Sequence, residues 1–117
     1  MPFMKHVYRL SIHLESADQS TRIGNILGVQ PSKAGGNIWE LEVEETKDAA
    51  PIDFVDYFLS ILGERFPELE SIGIKRSHIS MWLLYEYDGQ CNLEFTPNQL
   101  KKLGERGICL CVSCWAA

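Results

Sequence analysis

The chain has 117 residues, 45% hydrophobic and 23% charged, with a formal net charge of −5. That length supports one domain with a core of its own and is too short for two. No apolar run approaches the roughly 18 residues of a membrane helix. The short pairs Lys75-Arg76 and Lys101-Lys102 make no basic patch of the kind phosphate binding needs, so neither membrane nor nucleic acid is an expected partner.

The N-terminal Met1-Pro-Phe-Met-Lys-His lacks the apolar stretch of a secretory signal, which predicts a cytoplasmic chain. Tyr8, Leu10, Ile12 and Leu14 then alternate with Val7, Arg9, Ser11 and His13, predicting a first strand with the former set inward. Ser16 or Asp18 can cap a first helix that runs to about Leu27, with Ile23, Ile26 and Leu27 on one face. Gly28 can take the left-handed conformation that closes it, and Pro31 cannot continue it. Gly35-Gly36 reads as a flexible connection. The second predicted strand, Ile38 to Glu45, sets Trp39, Leu41 and Val43 against Glu40, Glu42 and Glu44, one face apolar and the other acidic.

Pro51 suits the first turn of a second helix, whose stripe is Ile52, Val55, Phe58, Leu59 and Leu62. Gly63 and Pro67 break it, and a short helical piece from Glu68 to Ile72 follows. A third strand spans His78 to Tyr87, with Ile79, Met81, Leu83 and Tyr85 on one face and Ser80, Trp82, Leu84 and Glu86 on the other. Asp88-Gly89 is a hairpin signal, so a fourth strand is expected with Cys91, Leu93 and Phe95 inward. Thr96, Pro97 and Gln99 form a capping-box helix start, with Leu100 and Leu103 inward and Gly107 at the end. A fifth strand from Ile108 to Trp115 puts Ile108, Leu110, Val112 and Cys114 on one side. The expected order is β-α-β-α-β-β-α-β. This is an α+β, two-layer sandwich in which three helices cover one face of an about five-stranded, mainly antiparallel sheet and leave the other face open.

The series Tyr8-x-Leu-x-Ile, Ile26-Leu-Gly-Val-Gln-Pro-Ser and Trp39-x-Leu, with the closing Leu100-x-x-Leu-Gly-x-x-Gly-Ile-x-Leu-x-Val, resembles the bacterial domain-of-unknown-function family number 4279. The resemblance covers nearly the whole chain and rests on helix ends and strand starts. It implies a small cytoplasmic α+β domain and supplies no catalytic residues. Small single-domain proteins of this kind often accompany bacterial toxins as immunity proteins, an association rather than an argument from a site.

The residues themselves offer little chemistry. Cys109, Cys111 and Cys114 crowd the last strand, with Cys91 elsewhere, and alternation puts Cys114 on the face opposite the other two. One strand cannot offer all three to a single ion, and the spacing is not that of paired C-x-x-C zinc sites. Such close neighbours are also badly placed to pair with each other, so the cysteines read as reduced, small hydrophobic side chains. His6, His13 and His78 are scattered, and no H-E-x-x-H, G-x-S-x-G or phosphate-cradling glycine motif occurs. The expectation is a protein that is not an enzyme and takes no metal or cofactor.

Charge is distributed unevenly. Between Glu40 and Asp56 there are seven acids against Lys47 alone, so this segment carries −6 and the rest of the chain +1. A solvated, aggregation-resistant strand face explains such a stripe. It also suits docking of a basic protein, since inhibitors of nucleases meet the enzyme's basic groove with acidic surface. In that reading Glu40, Glu42, Glu44, Asp53 and Asp56 steer a basic toxin domain and Trp82 anchors it. A second reading uses the open face for a small ligand held by Arg9, His13 and Trp115, with Trp82 beside them. Loops, the C-terminal tail or a second copy in a homodimer could instead cover the tryptophans.

Overall fold

The structure, a computed structural model, describes residues 6–45 and 52–117. In chain order the elements are β1 (His6–His13), α1 (Asp18–Leu27), β2 (Lys33–Gly35), β3 (Ile38–Glu44), α2 (Phe54–Leu62) and α3 (Phe66–Ser71). A 3-10 turn (Arg76–His78), β4 (Ile79–Tyr87), α4 (Pro97–Arg106) and β5 (Cys109–Ala116) complete them. The five strands form one sheet in the order β2-β3-β1-β4-β5. All neighbours are antiparallel except β4 and β5, which run parallel and are joined through α4. This is the α+β, mainly antiparallel architecture that the alternation predicts.

One face of the sheet carries the core. Leu10, Ile12, Trp39 and Met81 lose all solvent exposure there. They belong to one cluster with Ile23 and Leu27 of α1, Val55, Phe58 and Leu62 of α2, Leu69 of α3 and Leu103 of α4. Burying that much aliphatic and aromatic surface supplies the main driving force for the fold.

Several local expectations are corrected. No strand forms over 91–95, because β4 has β1 on one side and β5 on the other, leaving no free edge for a hairpin after Asp88-Gly89. The tight hairpin forms instead between β2 and β3, where Gly35 pairs with Ile38 across Gly36-Asn37. Gly36 has φ +60°, the sign that such a two-residue turn demands at its first central position. The stretch expected to be a flexible connection is therefore partly a strand.

Neither Ser16 nor Asp18 caps α1; the Ser16 hydroxyl donates to the Asp18 carboxylate instead. Buried Gln19 does the fastening, its amide oxygen accepting from the Glu15 and Ser16 N–H groups while its nitrogen donates to the Ile72 carbonyl. Pro51 lies outside the described residues, and α2 begins at Phe54 behind the cap Asp53. Pro67 sits in the first turn of α3, where its missing N–H costs nothing, instead of breaking a helix. The capping box of Thr96 and Gln99 forms as expected, but Leu100 is 50% exposed and Leu103 alone of the two is buried.

Candidate interaction surface

The strand register defines what the sheet face away from the described helices displays. Across β3, β1, β4 and β5 one row reads Glu42, Arg9, Trp82 and Cys111. The row on one side is Glu40, Ser11, Ser80 and Cys109, and on the other Glu44, Val7, Leu84 and Ser113. Trp115 and Glu86 lie beyond, paired on β5 and β4. None of these side chains belongs to the helix-side core cluster.

Arg9 is the electrostatic centre. Its Nη2 and Nε donate to the Glu42 carboxylate at 2.8 and 3.0 Å, and Nε lies 3.2 Å from Glu40. Glu40 is only 7% exposed, so this carboxylate is a buried charge compensated by the guanidinium beside it. Glu42 retains an exposed edge, and Glu44 is exposed without an ion pair among the described residues. Trp82 is half-buried, its indole N–H donating to Ser80 at 2.9 Å, whereas Trp115 is 38% exposed and donates to Glu86 at 3.3 Å.

The five predicted acids do not share a surface. Glu40, Glu42 and Glu44 lie on the open face, while Asp53 and Asp56 belong to the start of α2 in the helix layer. Asp53 caps its helix and accepts from Gln99, and Asp56 pairs with Lys102 of α4. Their charge is spent on joining α2 to α4. The small-ligand set is also dispersed. His13 ends β1 at the level of Ile38, and Trp115 sits at the level of Glu86 near the other end of the sheet. The strand rise separates the two levels by roughly 25 Å, so Arg9, His13 and Trp115 cannot grip one small molecule.

Two arrangements escape the sequence reading. At the start of β1, the Tyr8 hydroxyl donates to Glu45 at 2.9 Å, and His6 Nδ1 lies 3.0 Å from the same carboxylate oxygen while its ring stacks on Tyr85. Burial, and then the bond to Glu45, push the Tyr8 hydroxyl well above the usual tyrosine range, so it is a fixed donor and no base. Tyr8 and Tyr85 border a cavity of about 170 Å³ together with Phe54, Leu83, Leu93 and Phe95.

The second arrangement is the cysteines. All four are free thiols, and they meet in two pairs. Cys109 and Cys111 lie 3.8 Å apart on the open face, and Cys91 and Cys114 lie 3.6 Å apart on the other side of β5. Desolvation, then contact with the partner sulfur, pushes the Cys91 and Cys111 thiols up. Among the described residues no group of three or more His, Cys, Asp or Glu could hold a metal ion, and no helix is long and apolar enough to cross a membrane. Comparison with family models, with curated proteins and with solved structures finds no match to the chain.

Proposed function

We propose that the chain is a non-catalytic, cytoplasmic protein-binding module whose open sheet face docks a basic protein, in the manner of an immunity protein that occludes a bacterial toxin domain. One observation carries this reading. Among the described residues the helices cover one side of the sheet only, and the other side joins half-buried Trp82 and Leu84 to the exposed carboxylates Glu42 and Glu44. An apolar centre beside carboxylates that outnumber the cations Arg9 and Lys33 on the same face is a net-negative docking surface: the tryptophan supplies desolvation energy and the carboxylates speed encounter. Glu40 serves the face indirectly by fixing Arg9, and Asp53 and Asp56 take no part.

The test begins with capture of the tagged protein from the cells that encode it and identification of stoichiometric partners by mass spectrometry. Stopped-flow association of that partner is then compared with the Glu42→Lys, Glu44→Lys double variant. The double variant is expected to associate at least tenfold more slowly, with a flatter salt dependence. Asp56→Asn, a change in the other layer, should leave the rate within about twofold. An unchanged rate in the double variant refutes the acidic-face mechanism, and a captured partner with no basic surface refutes the proposed class of partner.

A further inference from the structure

We propose that Cys91 and Cys114 form a redox-modification site: a low-molecular-weight disulfide such as glutathione disulfide oxidises them to an intramolecular disulfide that fastens residues 88–96 to β5. The two Sγ atoms already lie in contact at 3.6 Å although their residues are 23 positions apart. Closing that gap to a bonded length of about 2 Å asks for a small displacement. Cys91 can supply it, because it lies in a stretch with no helix or strand, two residues after Gly89 at φ +79°. Cys114 is exposed on the edge strand and open to a reagent from solution.

The neighbouring pair is a poorer candidate. Cys109 and Cys111 stand side by side on one strand whose backbone is held by the ladder to β4, and a bond between residues two apart would have to bend that strand. Exchange between the pairs is blocked as well, since β5 sends Cys114 to one face and Cys109 and Cys111 to the other.

The chemistry balances without another participant. The Cys114 thiolate attacks glutathione disulfide, forming a mixed disulfide and expelling one glutathione thiolate. The Cys91 thiolate then attacks the Cys114 sulfur and expels the second. Two protein thiols become one disulfide, one glutathione disulfide becomes two glutathione thiols, and the two protons released by the cysteines are taken up by the leaving thiolates. Leu93 and Phe95 line the cavity beside Tyr8 and Phe54, so the bond fixes one wall of that cavity to the sheet.

The experiment incubates the native chain with glutathione disulfide, measures intact mass and maps cross-linked peptides without reduction. The wild type and Cys109→Ser, Cys111→Ser should both lose two hydrogens and yield a Cys91–Cys114 peptide. Cys91→Ser should stop at a glutathione adduct on Cys114, and Cys114→Ser should yield no cross-link. The oxidised wild type should melt roughly 5 °C or more above the reduced form, because the bond constrains the unfolded chain. A cross-link mapping to Cys109–Cys111 or between chains, a wild type that never cross-links, or an oxidised form that melts no higher than the reduced one overturns the proposal. None of these results depends on a protein partner, so the docking reading stands or falls separately.

Discussion

Replacing Arg9 by methionine tests whether the open face is organised around a compensated buried charge. Methionine keeps much of the aliphatic stem but leaves Glu40, 7% exposed, without its cation, while exposed Glu42 exchanges its bonds to Arg9 for water. Breaking a fully buried pair costs about 3–5 kcal/mol. Arg9 and Glu42 keep side-chain exposures of 27% and 36%, so water screens part of the loss. A cost of about 2–3 kcal/mol is expected, which for a chain of this length lowers Tm by roughly 8–12 °C. Glu40→Gln removes the charge that needs compensation and should cost about 1 kcal/mol. In the double variant the apolar side chain at position 9 no longer faces a buried carboxylate, so the two costs should not add. Urea denaturation of all four proteins closes the cycle, with an expected coupling of about 1–2 kcal/mol. Additive losses, or an Arg9→Met cost below about 1 kcal/mol, would show that Glu40 is satisfied without Arg9 and refute the argument.

Tyr8→Phe keeps the ring stacked on Phe54 and removes the bond to Glu45, so it should cost about 1 kcal/mol at neutral pH. The folded-state pKa of Tyr8 is raised, so its contribution is complete below the unfolded value near 10 and declines as pH rises above it. Wild-type stability should therefore fall more steeply than that of Tyr8→Phe between about pH 10 and 12, and parallel denaturation curves across that range would contradict the assignment. Gly107 ends α4 at φ +69°, and a Cβ placed there meets Arg76 only at an ordinary 3.7 Å. Gly107→Ala should consequently cost about 1 kcal/mol through backbone conformation alone, with Gly107→Asn costing less; equal costs in chemical denaturation would point to a steric cause.

The legible parts of the fold were those that local pattern determines. The alternation through Ile79, Met81 and Leu83 named the buried face of β4, and Thr96 with Gln99 located the start of α4. Features set by long-range register were not legible. Lys33-Ala34-Gly35 has no apolar alternation and becomes a strand only because β3 offers it an edge. Asp88-Gly89 carries a genuine turn preference, but the edge a hairpin would have used is taken by β5, some twenty residues further along. The candidate site divides in the same way. Strand parity placed Glu42, Arg9 and Trp82 on one face, yet that Arg9 bridges Glu40 and Glu42 follows only from the pairing of β1 with β3. Gln19 and the Cys91–Cys114 contact were missed because each joins an element to a distant, irregular segment.

The position of β1 at the centre of the sheet bears on how the chain is made. Leu10 and Ile12 leave the ribosome before both of their neighbours, pairing with Leu41 and Trp39 on one side and with Met81 and Ile79 on the other. The second set arrives roughly seventy residues later in the sequence. Synthesis at roughly 5–20 residues per second leaves this strand without one neighbour for several seconds. The β1–β3 pair can form early as a provisional sheet whose open edge is later filled by β4, and closing that long interval is a slow step for a sheet of non-local pairings. During those seconds the apolar β1 edge is available to other nascent chains, so the yield of native protein should depend on translation rate and on chaperones that shield exposed strands.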